Sequence, residues 1–301
     1  MKDRFLINII NLLFLSSVCF SIAKDKIYVV TTTQDLAEFV SVIGKDKVEV
    51  ISLTYGWQDP HRVELKPSMV AHIRKSDLVI KIGMDLDSWV DDLILMSGNN
   101  KVVYGQVGYL DVSQRIKKLE VPEGKVDARM GEVHIFGNPH YWLSPENAKI
   151  IVEDITERLS ILMPKNKNYF IENKDRYLKL LDEKISIWKQ KIEKLTNKKV
   201  VSYHKTFAYF FDCFGLKEII TLEPKPGIPP SAKYLSKVIE KLKEEKPVVI
   251  LHENFYPKKH TEFVSKSTQV RYEVVAVSVG GKKDIKDYIT LIDNLVEAIC
   301  K

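Results

Sequence analysis

Cysteine is scarce in this chain of 301 residues, which contains three. Cys19 lies within the apolar amino-terminal run, so only Cys213 and Cys300 remain beyond it. Two thiols are too few for a metal site built on thiolates alone, which uses four. The pair is compatible with one disulfide or with two separate free thiols, and the sequence does not decide between them.

Two further absences exclude whole classes of function. The motif H-E-x-x-H is missing, and no second cluster of histidines or carboxylates suggests a two-metal centre. The formal net charge is +6, but the lysines alternate with acids on helical stretches such as 241–246 and form no basic stripe. The positive excess therefore indicates a solvated surface, and we expect no nucleic-acid partner.

The first 23 residues have the pattern of a secretory signal peptide. Lys2 and Arg4 form a basic start, residues 5–20 are largely apolar, and Ser21-Ile22-Ala23 offers a small-residue cleavage site. The apolar run holds two asparagines and is short for a membrane span. We expect cleavage after Ala23, with a lipid anchor on Cys19 as the alternative. The chain is predicted to be exported, to the periplasm or another extracytoplasmic location.

Strand-like and helix-like segments alternate through the rest of the chain. Short β-branched runs predict strands at 27–30, 48–53, 78–82 and 102–104, and again at 200–203, 219–222, 248–251 and 274–279. Helical periodicity lies between them, for example at 36–43, 67–75, 87–96 and 285–299. Continuously apolar strands that alternate with helices are typical of a parallel sheet covered on both faces. We therefore expect an α/β fold.

The longest periodic segment separates two such sets of strands. Its apolar residues recur at intervals of three, four or seven and predict one uninterrupted helix of about 45 Å. A chain of this length also suggests two domains. The predicted organisation is a signal peptide at 1–23, an amino-terminal lobe at 24–163, a connecting helix at 164–197 and a carboxy-terminal lobe at 198–301.

Three histidines follow strand-like runs. They are His61 in Asp59-Pro60-His61, His140 in Asn138-Pro139-His140, and His204 after the strand predicted at 200–203. An Asx-Pro dipeptide favours a turn and holds the next residue in a defined place. Ligands of α/β sheets bind beyond the carboxyl ends of the strands, so these side chains can meet in a cleft between the lobes. Three imidazoles together would bind a borderline transition metal.

In combination and in order, these motifs resemble the metal-binding solute receptors of bacterial ABC importers, the zinc and manganese branch of the cluster A-I binding proteins. The resemblance covers essentially the whole mature chain. It rests on 59–68 (DPHRVELKPS), 138–145 (NPHYWLSP), His204 with the aromatic residues after it, and Asp287-Tyr288. It implies two lobes joined by a rigid helix, with metal held by His61, His140 and His204.

The same resemblance implies a role and partners. A receptor of this kind captures a metal ion outside the cytoplasm and delivers it to the membrane subunits of an ABC permease. We expect a monomer and no enzymatic activity. Two other functions stay open at this point: an exported zinc-dependent hydrolase that uses the three histidines with Glu253 as a base, and a surface adhesin.

One departure from the family pattern concerns the fourth ligand. The family usually supplies an aspartate just after the last strand, where this chain has Ser278-Val279-Gly280-Gly281. Glu253, at the end of a neighbouring strand, is one candidate for the vacant position, although it could instead orient a ligand. His134, six residues before His140, is another. Water is the third.

The donor atoms predict the metal. Three imidazoles suit zinc, whereas manganese favours carboxylate oxygens. The manganese branch of the family usually has a carboxylate at the position of His204. Zn²⁺ is therefore the expected transported ion, with Mn²⁺ less favoured.

Overall fold

A computed structural model of the chain describes residues 25–124, 131 and 133–301. The predicted signal peptide and Cys19 lie outside these residues. Within them, none of the helices combines the length and apolar character that crossing a bilayer requires. Cys213 and Cys300 are both free thiols.

The amino-terminal lobe is built on a four-stranded parallel sheet. Its strands are β1 (Ile27–Thr31), β2 (Val48–Ser52), β3 (Leu78–Lys81) and β4 (Tyr109–Asp111), in the spatial order β2-β1-β3-β4. The associated helices are α1 (Gln34–Gly44), α2 (Pro67–Lys75), α3 (Trp89–Ser97) and α4 (Pro145–Leu162). The two central strands are apolar on both faces and almost wholly buried, as expected for a sheet between helical layers.

The prediction of a strand at 102–104 was wrong. These residues form turns and bends, and the fourth strand is β4, seven residues later along the chain. Val102 is β-branched and fully buried, but it packs into an apolar cluster with Ile73 of α2 and Ile94 of α3. Val102 is therefore buried among side chains of neighbouring elements without being part of a strand itself.

A long helix, α5 (Lys167–Glu193), follows the first lobe. Its 27 residues correspond to about 40 Å. Pro164–Asn166 form a 3-10 turn before the helix. The helix ends at Glu193, so it is shorter at both ends than the predicted 164–197. Its buried stripe consists of Phe170, Asn173, Tyr177, Leu181, Ile185, Trp188 and Ile192.

The carboxy-terminal lobe repeats the architecture. Its strands are β5 (Lys199–Ser202), β6 (Lys217–Thr221), β7 (Ile250–Glu253) and β8 (Tyr272–Val275), all parallel, in the order β6-β5-β7-β8. Its helices are α6 (Ala208–Phe214), α7 (Ala232–Glu245), α8 (Lys259–Thr268) and α9 (Tyr288–Cys300). The predicted fold class, two parallel-sheet α/β lobes with a long helix between them, is confirmed.

One continuous apolar core runs through both lobes. It includes buried residues of α1, α4, α5, α6 and α9, whereas smaller clusters fill the outer face of each sheet. Helix α5 packs against α1 and α4 of the first lobe and against α9 of the second. The lobes are therefore joined by shared packing as well as by the helix.

Candidate metal centre

Three histidines from different loops meet between the lobes. His61 lies in the loop after β2, His140 immediately precedes a 3-10 turn at Tyr141–Leu143, and His204 lies two residues beyond β5. One ligand nitrogen from each lies within 4.8 Å of the others. The ring centroids are 5.1, 5.5 and 5.6 Å apart. The structure thus brings together the three residues that the sequence singled out.

Each of these rings is held from behind by a hydrogen bond to Nδ1. The partner of His61 is Asp59 at 2.9 Å, and the partner of His140 is Asn138 at 2.9 Å. In both cases the same side-chain oxygen also accepts the backbone N–H of the histidine, at 3.0 Å. The Asx-Pro-His sequence therefore closes a small ring that fixes the imidazole. With a proton on Nδ1, Nε2 keeps its lone pair for the cluster.

Glu223 performs the same task for His204. Its Oε2 lies 2.7 Å from His204 Nδ1, and both side chains are almost fully buried. Oε2 also accepts the backbone N–H of Gly227 at 3.2 Å, which ties the proline-rich loop to this carboxylate. Sequence reasoning missed Glu223, although its place two residues beyond β6 could have indicated it, since the ends of adjacent parallel strands meet.

Glu253 lies behind His204 rather than in the cluster. Its Oε1 accepts hydrogen bonds from Thr206 Oγ1 at 2.6 Å and from the backbone N–H of His204 at 3.3 Å. Burial raises the pKa of this carboxyl to about 8. The group of mutually close donor atoms contains His61, His140 and His204 but not Glu253.

His134 lies at the edge of the cluster. Its ring centroid is 5.2 Å from that of His61 and 6.5 Å from that of His140. It stands outside the group whose donor atoms are all within 4.8 Å. Among the described residues, therefore, His134 is a fourth imidazole near the cluster, but its donor atoms are not within 4.8 Å of all the others.

The environment favours neutral imidazoles. Burial, together with the neighbouring rings of His61 and His204, holds the pKa of His140 well below its usual range. Burial likewise lowers the pKa of His134 to about 4. Metal binding requires the unprotonated ring, so these groups need not lose a proton at neutral pH before they coordinate an ion.

The space beside the cluster is small. A cavity of about 200 Å³ is lined by His134, His140, His204 and Pro226, among others. A larger cavity of about 700 Å³ lies elsewhere, between α1, β2 and α2 of the amino-terminal lobe and Val279 and Lys286 of the carboxy-terminal lobe, and His72 is the single histidine in its wall. The larger cavity is thus separate from the cluster, which has room for an ion and a few waters.

Comparisons with known proteins agree with this geometry. A family model described as "Zinc-uptake complex component A periplasmic" (ZnuA) matches residues 29–301. The chain is 27% identical over 282 residues to the high-affinity zinc uptake system protein ZnuA of Bacillus subtilis (strain 168), covering 91% of this chain and 87% of that protein. It is 26% identical over 254 residues to the manganese ABC transporter substrate-binding lipoprotein PsaA of Streptococcus pneumoniae, covering 82% and 78%. A crystal structure of ZnuA superposes with a TM-score of 0.78 at 23% identity, over 92% of this chain and 98% of that one, and supports the fold.

Proposed function

Because this chain belongs to the family of periplasmic zinc-uptake components, ZnuA, we propose that it is the substrate-binding component of a metal ABC importer and that its cargo is Zn²⁺. Proteins of this kind bind metal and work with membrane permease subunits. They are binding proteins rather than enzymes. The zinc-dependent hydrolase considered above is not favoured, and Glu253 supports it poorly because its Oε1 accepts the backbone N–H of His204 and the side chain is not among the mutually close donors.

One observation carries the proposal: three imidazoles supplied by both lobes converge on one point with Nδ1 occupied elsewhere. Relatives named for zinc and for manganese are both similar to this chain, so similarity alone leaves the ion open. The donor atoms decide between them. A nitrogen-only set suits zinc, whereas manganese prefers carboxylate and water oxygens. His61, His140 and His204 are therefore the proposed ligands.

The proposal also covers the export of the protein and the form of its mature chain. We propose that residues 1–23 are a signal peptide removed on export, and that the mature chain works as a monomer made of lobes 24–163 and 198–301 around the connecting helix. The leader pattern at Lys2 to Ala23 supports export. A lipid anchor on Cys19 is the alternative mode of retention at the membrane.

Isothermal titration of the metal-free mature protein tests the function. We expect one Zn²⁺ per chain, bound more tightly than Mn²⁺. His140→Ala should weaken zinc binding by more than the about 10–100-fold that loss of a ligand's hydrogen-bond partner typically costs. His260→Ala, at the start of α8 and outside the cluster, is the matched control and should bind like the wild type. Unchanged affinity in His140→Ala would refute the site, and preference for Mn²⁺ would refute the cargo.

A further inference from the structure

His134 presents an unused nitrogen next to the cluster. Its Nε2 is buried and has no hydrogen-bond partner among the described residues. The ring hydrogen-bonds to the backbone of Met84, which occupies its other side. His61 Nε2 is likewise buried without a partner in this part of the chain, and the centroids of the two rings are 5.2 Å apart. Two buried imidazole nitrogens without partners, on rings this close together, are suited to one shared cation.

The ring spacing fits a tetrahedral ion. With zinc–nitrogen bonds of about 2.0–2.1 Å, four imidazoles around one tetrahedral zinc have centroids about 5 Å apart. The separations involving His61 are 5.1, 5.2 and 5.5 Å, and that between His140 and His204 is 5.6 Å. The separation between the His134 and His140 centroids is longer, at 6.5 Å. A displacement of the His134 ring toward His140 by about 1.5 Å would bring that separation to the tetrahedral value.

The loop that carries His134 is held by an unusual turn after β3. Gly83, Met84 and Asp85 all have positive φ, at 79°, 48° and 68°. For Met84 and Asp85 this backbone conformation is costly and persists where the surroundings impose it. The turn contacts the loop twice: at the backbone of Met84, which bonds the His134 ring, and at Asp85 Oδ2, which accepts the backbone N–H of Ile135 at 3.2 Å. The strained turn therefore positions this imidazole.

We propose that His134 is the fourth zinc ligand and replaces the carboxylate that is missing after the last strand. The inference rests on the proposed function and completes it, because it makes the site four imidazoles without a carboxylate. No carboxylate among the described residues joins the close group of donors; Glu223 Oε2 bonds His204 Nδ1, and Glu253 Oε1 bonds the backbone N–H of His204. Such a nitrogen-only tetrahedron favours Zn²⁺ and Co²⁺ and disfavours Mn²⁺, which prefers six oxygen ligands.

X-ray absorption at the zinc edge of the loaded wild-type protein tests the coordination directly. Four imidazole nitrogens and no oxygen are expected; three nitrogens with one oxygen would overturn the inference. The same measurement on His134→Gln should show the loss of one imidazole, and zinc affinity should fall about tenfold or more. Cobalt-substituted protein adds a second readout, since loss of the fourth nitrogen shifts the absorption bands of tetrahedral Co²⁺.

The variants separate this inference from the function on which it rests. His260→Gln is the control and should match the wild type in every measurement. If His134→Gln keeps the wild-type coordination and affinity while His140→Gln loses zinc binding, the role of His134 is refuted and the receptor function stands. If neither change affects binding, both are refuted. The wild-type absorption spectrum decides the ligand count even if a variant does not fold.

Discussion

At the scale of single residues, the Asx-Pro-His sequences are more than turn signals. Asp59 and Asn138 each bind both the backbone N–H and the ring Nδ1 of the histidine two positions later. The imidazole is thereby fixed in position and tautomer before any ion arrives. A site prepared in this way loses little conformational freedom when it binds metal, which contributes to affinity.

Glu223 offers the sharpest test of this support, because it is buried and far from His204 in sequence. Glu223→Ala removes the charge-assisted bond to Nδ1 at 2.7 Å. Zinc affinity is expected to fall about 10–100-fold. Glu223→Gln, which keeps a neutral acceptor, should lose less. Competition against a chelator of known affinity measures both changes.

The control for Glu223 is an acid of the same lobe without a role at the site. Glu240 lies on α7 and is exposed, so Glu240→Ala should leave zinc binding unchanged. Native circular dichroism of Glu223→Ala is needed alongside. A folded Glu223→Ala protein with wild-type affinity would show that the bond to His204 does not matter for binding.

At the scale of elements, Glu38 links α1 to the start of α9. Its carboxylate accepts a backbone hydrogen bond from Tyr288, and its Oε2 has no partner within the described ranges. Burial, followed by the negative charges of Asp287 and Asp35, raises its pKa from 4.5 to about 8. The native state therefore retains a proton that the unfolded chain has released between about pH 4.5 and 8. In that window this group makes stability fall as the pH rises.

Glu38→Gln should remove this pH dependence. The amide is neutral and still accepts the bond from Tyr288, so the free energy of unfolding at pH 8.5 should increase by on the order of 2 kcal/mol, with little change at pH 5. Denaturant titrations of the metal-free protein at the two pH values measure it. Glu297→Gln, at an exposed position of α9, is the control. An equal effect of Glu38→Gln at both pH values would contradict the assignment.

Elements with a local chemical signal were predicted well from the sequence. Helix α2 begins at Pro67 as expected, and α9 begins after Asp287, whose side chain accepts the N–H of Thr290 in a capping box. Strand β4 was missed because its three residues, Tyr109–Asp111, are defined by pairing with β3 rather than by their own pattern. Segment 102–104 has strand-like residues but forms turns and bends, with Val102 buried in an apolar cluster.

The same distinction holds within the candidate site. His61, His140 and His204 were found because each follows a strand-like run or an Asx-Pro dipeptide. The support from Glu223 was not foreseen, since it depends on β6 lying beside β5 in space. The partner of His61, Asp59, lies two residues away in the same motif, whereas Glu64 three residues beyond His61 is exposed. Contacts between residues distant in sequence were thus the ones that sequence patterns could not supply.

At the scale of the whole molecule, the lobes are fastened to each other beside the metal site. Asp35 of α1 accepts hydrogen bonds from Ser278 Oγ and, at 3.0 Å, from the backbone N–H of Val279. Trp142 Nε1 donates to the carbonyl of Val277 at 2.9 Å. At Gly56, a Cβ atom would lie 1.9 Å from the carbonyl oxygen of Val279, so two backbones approach closely there. The segment 278–281, where the family resemblance predicts an aspartate ligand, thus contacts the amino-terminal lobe.

These contacts, together with the shared core, predict that zinc uptake involves little movement of the lobes. The radius of gyration from small-angle X-ray scattering should change by less than about 1 Å between the metal-free and zinc-loaded protein. Asp35→Ala removes the acceptor of a buried N–H, which typically costs about 1–3 kcal/mol of stability. In that variant the metal-free protein should have a larger radius of gyration than the wild type, and the decrease on zinc binding should be correspondingly larger.

Asp182→Ala is the matched control, because Asp182 lies on the exposed face of α5 and pairs only with surface Lys149 in the described structure. Its scattering should equal that of the wild type with and without zinc. Hydrogen exchange of the Val279 amide gives a local readout, since that amide should be protected in the wild type and exchange faster in Asp35→Ala. If the radius of gyration of the wild-type protein fell by several ångströms on zinc loading, the prediction would be wrong. The Asp35 contacts would then have to break in the metal-free state, and the lobes would move as a clamshell.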